Sequence, residues 1–211
     1  LPLGPRLPRP RVAAARVRKQ LLGHLRPDRL AEAARVGGDE VAARRDADRA
    51  ELLYSRMGPA IETSGGSAGN TAAGIASFGG KAAYFGKVAD DQLGKIFQHD
   101  IRAQGVAFDT KPLDETPPTA RSMIFVTPDG QRSMNTYLGA CVELGPEDVE
   151  EDKVAAAQVT YFEGYLWDPP RAKEAIRTCA EIAHKHGKRM SMTLSDSFCV
   201  DRYRGEFLDL M

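Results

Sequence analysis

Between Ser64 and Gly80 the chain reads SGGSAGNTAAGIASFGG, with two adjacent glycines, a small-residue gap and one amide ahead of an apolar run. Bare backbone N–H groups at a helix start can approach a polar ligand closely. Asn70, in the first turn of that helix, offers both a donor and an acceptor. That combination suits the vicinal hydroxyls of a sugar better than a phosphate. Two phosphate loops are excluded by spacing. No Lys follows Gly69, as G-x-x-x-x-G-K-[ST] would require, and Gly65–Gly69 does not supply G-x-G-x-x-G. The plain structural reading also stands: the glycines make a tight turn and let a helix sit against a sheet.

Other candidate groups are weaker. Asp90 and Asp91 look like a carboxylate pair, but a helix N-cap and first turn explain them better. His184 and His186 lie two apart on a helix and do not share a face, so they read as a solvated helix end. Asp196 follows a strand and could touch a site. The three cysteines, Cys141, Cys179 and Cys199, are odd in number and lack metal-ligand spacing. A reducing, cytoplasmic location is expected from that usage.

These groups need elements to hold them. Ala68–Phe78 is predicted as a helix with Ala72, Ile75 and Ala76 on its packing side, stopped by Gly79-Gly80. KAAYFGKVA reads as a buried strand. DQLGKIFQHDIRAQG is a helix with Leu93, Ile96, Phe97 and Ile101 in one stripe. Met123–Val126 and Ser133–Leu138 flank the turn signal Pro128-Asp129-Gly130 and predict a β-hairpin. GPEDVEEDKVAAAQ starts a helix or a pair of short turns. VTYFEGYL is a strand, DPPRAKEAIRTCAEIAHKHGK a helix opened by Asp168 and proline, RMSMTLSD a strand, and RYRGEFLDLM begins another helix. Such alternation predicts an α/β fold with a parallel sheet covered by helices. The hairpin would project from it as a lid.

Bulk composition is that of an ordinary globular chain, 42% hydrophobic and 27% charged over 211 residues. Zero net charge gives no global case for nucleic acid or an anionic membrane, and no apolar run approaches the roughly 20 residues of a bilayer span. The neutrality hides a seam. Residues 1–45 carry ten Arg and one Lys against four acids and contain no Ser, Thr, Asn, Ile, Met, Cys or aromatic residue. Apart from Lys19, every residue there can be encoded by a codon beginning with C or G. A shifted reading frame in a GC-rich gene would produce this restricted alphabet. Residues 1–48 are therefore read as an atypical Arg/Pro/Ala-rich segment, with an out-of-frame translation and a natural disordered basic arm as its two explanations. Residues 49–211 are read as the functional region, with lid strands at about 106–140.

From SGGSAGNTAAGIASFGG through GKVADDQLG at Gly86–Gly94, then TPDGQRSMNTYLGA and YFEGYLWDPP, the chain resembles the ribokinase-like (PfkB) family of sugar and nucleoside kinases. It looks most like the adenosine-kinase-type branch and related bacterial sugar kinases. The resemblance implies a ribokinase-like, partly parallel central sheet flanked by helices, with a small β-hairpin lid. It implies transfer of the γ-phosphoryl group of ATP, with Mg²⁺, to a hydroxymethyl group. It also implies that the Gly65 and Gly66 backbone and Asn70 hold substrate hydroxyls, and that Arg132 lies near substrate or transferring phosphate. Glu163 would sit at a strand end facing the crevice, where open α/β sheets bind ligands. The alternatives are a solvated hairpin arginine and a structural carboxylate. Partners would be a small sugar or nucleoside, and a second copy of the chain through the lid.

The family's second motif, D-T-x-G-A-G-D, carries the base that takes the acceptor's proton and a glycine anion hole; no such run occurs in these 211 residues. The family's opening strand, G-N-x-x-x-D, is also absent. No residue here is thus assigned as catalytic and none as a metal ligand, and the chain is expected to be an incomplete domain, inactive and poorly soluble alone. A non-catalytic sugar- or nucleoside-binding module and an unrelated α/β nucleotide-binding protein remain as other readings.

Overall fold

The computed structural model describes residues 40–114 and 116–211, with side chains from Ala47 onward. Residues 1–39, which hold most of the atypical basic segment, lie outside the described residues. The first element, α1 (Glu40–Ser55), ends ahead of Gly58, and its apolar residues Ala47, Ala50 and Leu53, with Met57, pack on the hairpin. That hairpin is β3 (Arg121–Val126) and β4 (Arg132–Tyr137), antiparallel, with Ile124 opposite Met134. Its turn closes as the Pro-Asp-Gly signal requires, Gly130 N–H donating to the Thr127 carbonyl at 2.8 Å.

The remaining elements alternate as expected. Helix α2 (Ser67–Ser77) leads into β1 (Ala82–Ala83), α3 (Gln92–Ala103) and β2 (Val106–Ala107), which pairs in parallel with β1. After the hairpin come two short 3-10 turns, α4 (Glu151–Ala156), β5 (Val159–Glu163), α5 (Pro170–Lys185), β6 (Arg189–Thr193) and α6 (Ser197–Leu210). Strands β5 and β6 pair in parallel, Glu163 opposite Thr193. Within the 106–140 stretch only Arg121–Tyr137 is antiparallel; Val106–Ala107 belongs with β1.

The two parallel pairs do not hydrogen-bond to each other. Side chains join them instead. Phe85, just beyond β1, packs against Val154, Cys179 and Ala183 beneath β6. The buried Lys87 ammonium meets the Asp148 carboxylate at 2.5 Å. A separate core of Ala72, Val88, Ile101, Val106 and Phe108 fills the space between α2, α3 and the β1–β2 pair. Trp167, Ile176, Cys199 and Phe207 fix α5 and α6 to the end of β5.

Several local expectations change in three dimensions. Ile75 and Ile96 are exposed rather than packed; α2 instead buries Gly69 and Ala72, and α3 buries Gly94 and Ile101. Asp168 does not open α5. It accepts hydrogen bonds from Arg202 and Tyr203 of α6, and the proline-bearing turn starts the helix unaided. Asp90 is an exposed partner of Lys95, whereas Asp91 caps α3 by accepting from Gly94 N–H at 2.7 Å.

Asp91 does more than cap. Its carboxylate also accepts from the Thr119 backbone N–H at 2.8 Å and the Thr119 hydroxyl at 2.7 Å, tying α3 to the base of the hairpin. Burial by itself would raise its pKa, but the hydrogen bonds from Thr119 and Gly94 outweigh it and hold the carboxyl below its ordinary value of 3.8. A depressed folded-state pKa contributes stability that is present above the unfolded value and lost as pH falls through the folded one. Relative to Asp91→Asn, the wild-type chain should therefore lose its thermal-stability advantage as pH drops below about 4. Parallel melting curves of the two proteins with pH would contradict this.

Candidate functional site

The N-terminus of α2 is built to be bare. Gly66 is its N-cap, with φ 96° and ψ 136°, a left-handed conformation that costs a side-chain-bearing residue dearly. No side chain caps the helix, so first-turn N–H groups stay available. Ser64, just upstream, is held by its hydroxyl donating to Asp100 of α3 at 2.6 Å, which lowers that carboxyl's pKa. The Asn70 N–H completes the first helical bond to the Gly66 carbonyl at 2.8 Å. Its side chain is exposed and makes no hydrogen bond among the described residues. Gly65, Asn70, Phe97 and Gln104 line a small open cleft of about 30 Å³.

Glu163 ends β5 at the carboxyl edge of the parallel pair, where open α/β sheets place ligands. It is 8% exposed, yet two hydroxyls reach its carboxylate. Ser67, the first residue of α2, donates to one oxygen, and the Tyr161 hydroxyl donates to the other at 3.2 Å. The negative charge is felt by its neighbours. Burial first, then the Cys141 and Glu163 charges, push Tyr84 up to about 12. Tyr161 is raised by burial and then by Glu163. Tyr165 follows on the same edge, half exposed, its pKa raised by burial and by Asp196.

The loop after β6 completes this edge. Ser195 has φ 69°, among the described residues the one non-glycine position with positive φ. Its hydroxyl accepts from the Tyr165 N–H at 3.0 Å and so holds the β5 exit against the β6 exit. Asp196 caps α6 through Cys199 N–H at 2.8 Å, the bond that chiefly lowers its own pKa.

The predicted residues Gly65, Gly66 and Asn70 thus share one helix terminus, and Ser67 joins that terminus to Glu163. Arg132 is not part of this group. It is exposed at the start of β4, opposite Val126, and makes no hydrogen bond or ion pair with the others. Sequence reasoning missed Ser67, Tyr161 and Ser195. Ser67 was findable as the polar residue between the glycine pair and Asn70; the hydroxyls on Glu163 carry no local pattern. His184 and His186 are exposed at the end of α5. The arrangement offers helix-terminal N–H donors and an amide on one side and a carboxylate acceptor on the other. That set can hold two or more hydroxyls of a small polyol.

The pfkB family carbohydrate kinase model matches residues 55–211. Among curated relatives, a fructokinase of Solanum tuberosum is 25% identical over 133 residues, covering 62% of this chain and 42% of the relative. An ATP-dependent ribose-1-phosphate kinase of Halopiger xanaduensis is 30% identical over 133 residues, covering 61% and 44%. The solved adenosine kinase from Sinorhizobium meliloti is 82% identical with a TM-score of 0.75, covering 78% of this chain and 50% of that one. A probable sugar kinase from Rhizobium etli is likewise 82% identical with a TM-score of 0.75, covering 79% and 50%. The chain spans less than half the length of these curated relatives and half of these two structures.

Proposed function

The chain belongs to the pfkB family of carbohydrate kinases, and from that premise we propose that it forms the acceptor-binding part of an ATP-dependent sugar or nucleoside kinase. The observation that carries this reading is the uncapped α2 terminus joined through Ser67 to Glu163 at the carboxyl edge of β5. There the backbone at Gly65 and Gly66 and the Asn70 amide would donate to, and accept from, substrate hydroxyls. Glu163 would accept the hydroxyl protons. Together they would orient the hydroxymethyl group for attack, which is where most of the rate advantage in phosphoryl transfer originates.

Adenosine and a sugar are both supported as acceptors, the probable sugar kinase named above being equally 82% identical. The solved adenosine kinase named above shares 82% identity. Tyr161 and Tyr165, both partly exposed beside Glu163, would add aromatic surface for a base. Arg132 would reach the transferring phosphate only if the hairpin moved.

ATP and Mg²⁺ use is proposed from the family alone, and no residue of this chain is assigned to either. Among the described residues no group of three or more His, Cys, Asp and Glu could hold a metal ion. D-T-x-G-A-G-D is missing from the sequence as well. The 211-residue chain is proposed to bind acceptor without turning it over.

Calorimetric titration of the chain with adenosine, ribose and fructose, beside a coupled assay for ADP release, tests these readings. Adenosine binding without ADP release is expected, and Glu163→Gln should weaken it at least tenfold. ADP release by the chain would refute the inactive reading, and silence of all three titrations would refute the acceptor site. Sedimentation of the same samples reads a further proposal, self-association through the lid, for which the exposed cross-strand pair Ile124 and Met134 provides an apolar contact. A cytoplasmic location is proposed from the three free cysteines. No described helix is long and apolar enough to cross a membrane.

A further inference from the structure

We infer that Ser67 is a positioning residue for Glu163, fixing the orientation of its carboxylate so that one edge faces the acceptor; this rests on Glu163 holding acceptor hydroxyls, as proposed above. Three observations support it. The Ser67 hydroxyl donates to one Glu163 oxygen across 96 residues of sequence, among the described residues the only side-chain hydrogen bond between α2 and β5. The Tyr161 hydroxyl reaches the other oxygen at 3.2 Å, so the carboxylate is held from both ends. Ser67 is itself fixed, because it opens α2 directly after the left-handed Gly66 and its carbonyl accepts from the Thr71 hydroxyl at 3.0 Å.

The chemistry explains why this matters. A glutamate has three rotatable side-chain bonds, and an unheld carboxylate samples many directions. A hydroxyl bonded to an ionised carboxylate forms a strong, charge-assisted contact. The carboxylate has about four lone-pair sites. Ser67 and Tyr161 occupy one on each oxygen and leave the rest pointing away from both. With Ser67 removed, the carboxylate has another attractive partner close by. The first-turn N–H groups of α2 are uncapped, and an anion is favoured there. Glu163 turned toward them would satisfy the donors that the acceptor needs. Ser67 therefore keeps the carboxylate and the helix terminus apart as two halves of one site.

The experiment is a double-mutant cycle on the full 211-residue chain, with adenosine as the calorimetric probe and melting curves to verify folding. Ser67→Ala should weaken adenosine binding about tenfold with little change in melting temperature. Ser67→Thr, which restores the hydroxyl, should stay within about threefold of wild type. Ser67→Ala should add nothing once Glu163→Gln is present, because both changes act through one carboxylate. Full additivity of the two changes, or failure of threonine to rescue, overturns the inference. If Glu163→Gln weakens binding while Ser67→Ala does not, only the role of Ser67 falls. If Glu163→Gln has no effect, the reading of Glu163 falls and the inference with it.

Discussion

Replacing Gly94 by alanine should destabilise the chain by about 3–5 kcal/mol and leave little of it folded at 37 °C. A β-carbon at this position would sit 2.0 Å from the Ala89 carbonyl oxygen and 3.0 Å from the Thr119 hydroxyl. The first contact is with backbone, so no rotamer change relieves it. The surrounding atoms have no freedom to yield either. Ala89 is fully buried, its N–H donates to Thr119 Oγ1 at 2.9 Å, and the segment bridges in parallel to Leu113. Moving α3 outward to accommodate the methyl would carry its cap Asp91 along and break the Asp91–Thr119 clamp on the hairpin base. Gly74→Ala is the control. It also lies in a helix, but an added β-carbon meets nothing within 4 Å, so it should stabilise by about 0.5–1 kcal/mol. Denaturant melts of the two variants check the contrast; equal stabilities would contradict the packing explanation.

The same glycine shows what the amino-acid order could reveal. D-D-Q-L-G was legible as a cap and a helix because each part has a local rule, an acid at the N-cap and an apolar stripe at 3.6-residue spacing, whereas of the buried strand read over K-A-A-Y-F-G-K-V-A only Ala82–Ala83 pairs as a strand, with Ala89 in an isolated bridge. Helices α2, α3 and α5, the hairpin and the parallel β5–β6 pair follow from such rules. What the rules could not supply is the second set of bonds on Asp91, since Thr119 lies 28 residues away and nothing in its neighbourhood advertises an acid. Asp168 misled for the same reason. An acid before Pro-Pro at a helix start is a reasonable cap, but Arg202 and Tyr203, 34 and 35 residues on, compete for it and win.

The candidate site divides along the same line. Gly65, Gly66 and Asn70 lie within six residues, and their spacing already placed them at one helix terminus. Glu163 was placed by topology, because a strand end in a parallel sheet is where ligands gather. Ser67 and Tyr161 acquire meaning only through contact with Glu163. Arg132 was placed by resemblance, and its exposed position on β4 shows that a resemblance carries residue type more securely than it carries proximity.

Asp148→Asn should cost about 3–5 kcal/mol, a drop in melting temperature on the order of 10 °C for a chain of this size. Lys87 and Asp148 have side chains only 8% and 4% exposed and meet at 2.5 Å. The second Asp148 oxygen accepts from the Gly145 N–H at 3.0 Å, which settles the turn before α4. Asparagine can keep the Gly145 bond, so the loss isolates the ion pair. What remains after the change is an ammonium buried without a counter-charge, and its desolvation is no longer offset. The pair also occupies a special place: with Phe85 it ties the β1–β2 half to the α4–α5 half, which share no strand pairing. Lys87→Met alone should be similarly harmful, because it strands the carboxylate instead. The double change Lys87→Met with Asp148→Leu should recover most of the loss, since two apolar side chains need no partner. Denaturant melts of the three variants read this directly. Additive losses in the double variant would mean that the two residues stabilise the chain separately, and the junction between its halves would then rest on the packing around Phe85, the Lys153–Asp109 ion pair and the Ser67–Glu163 hydrogen bond.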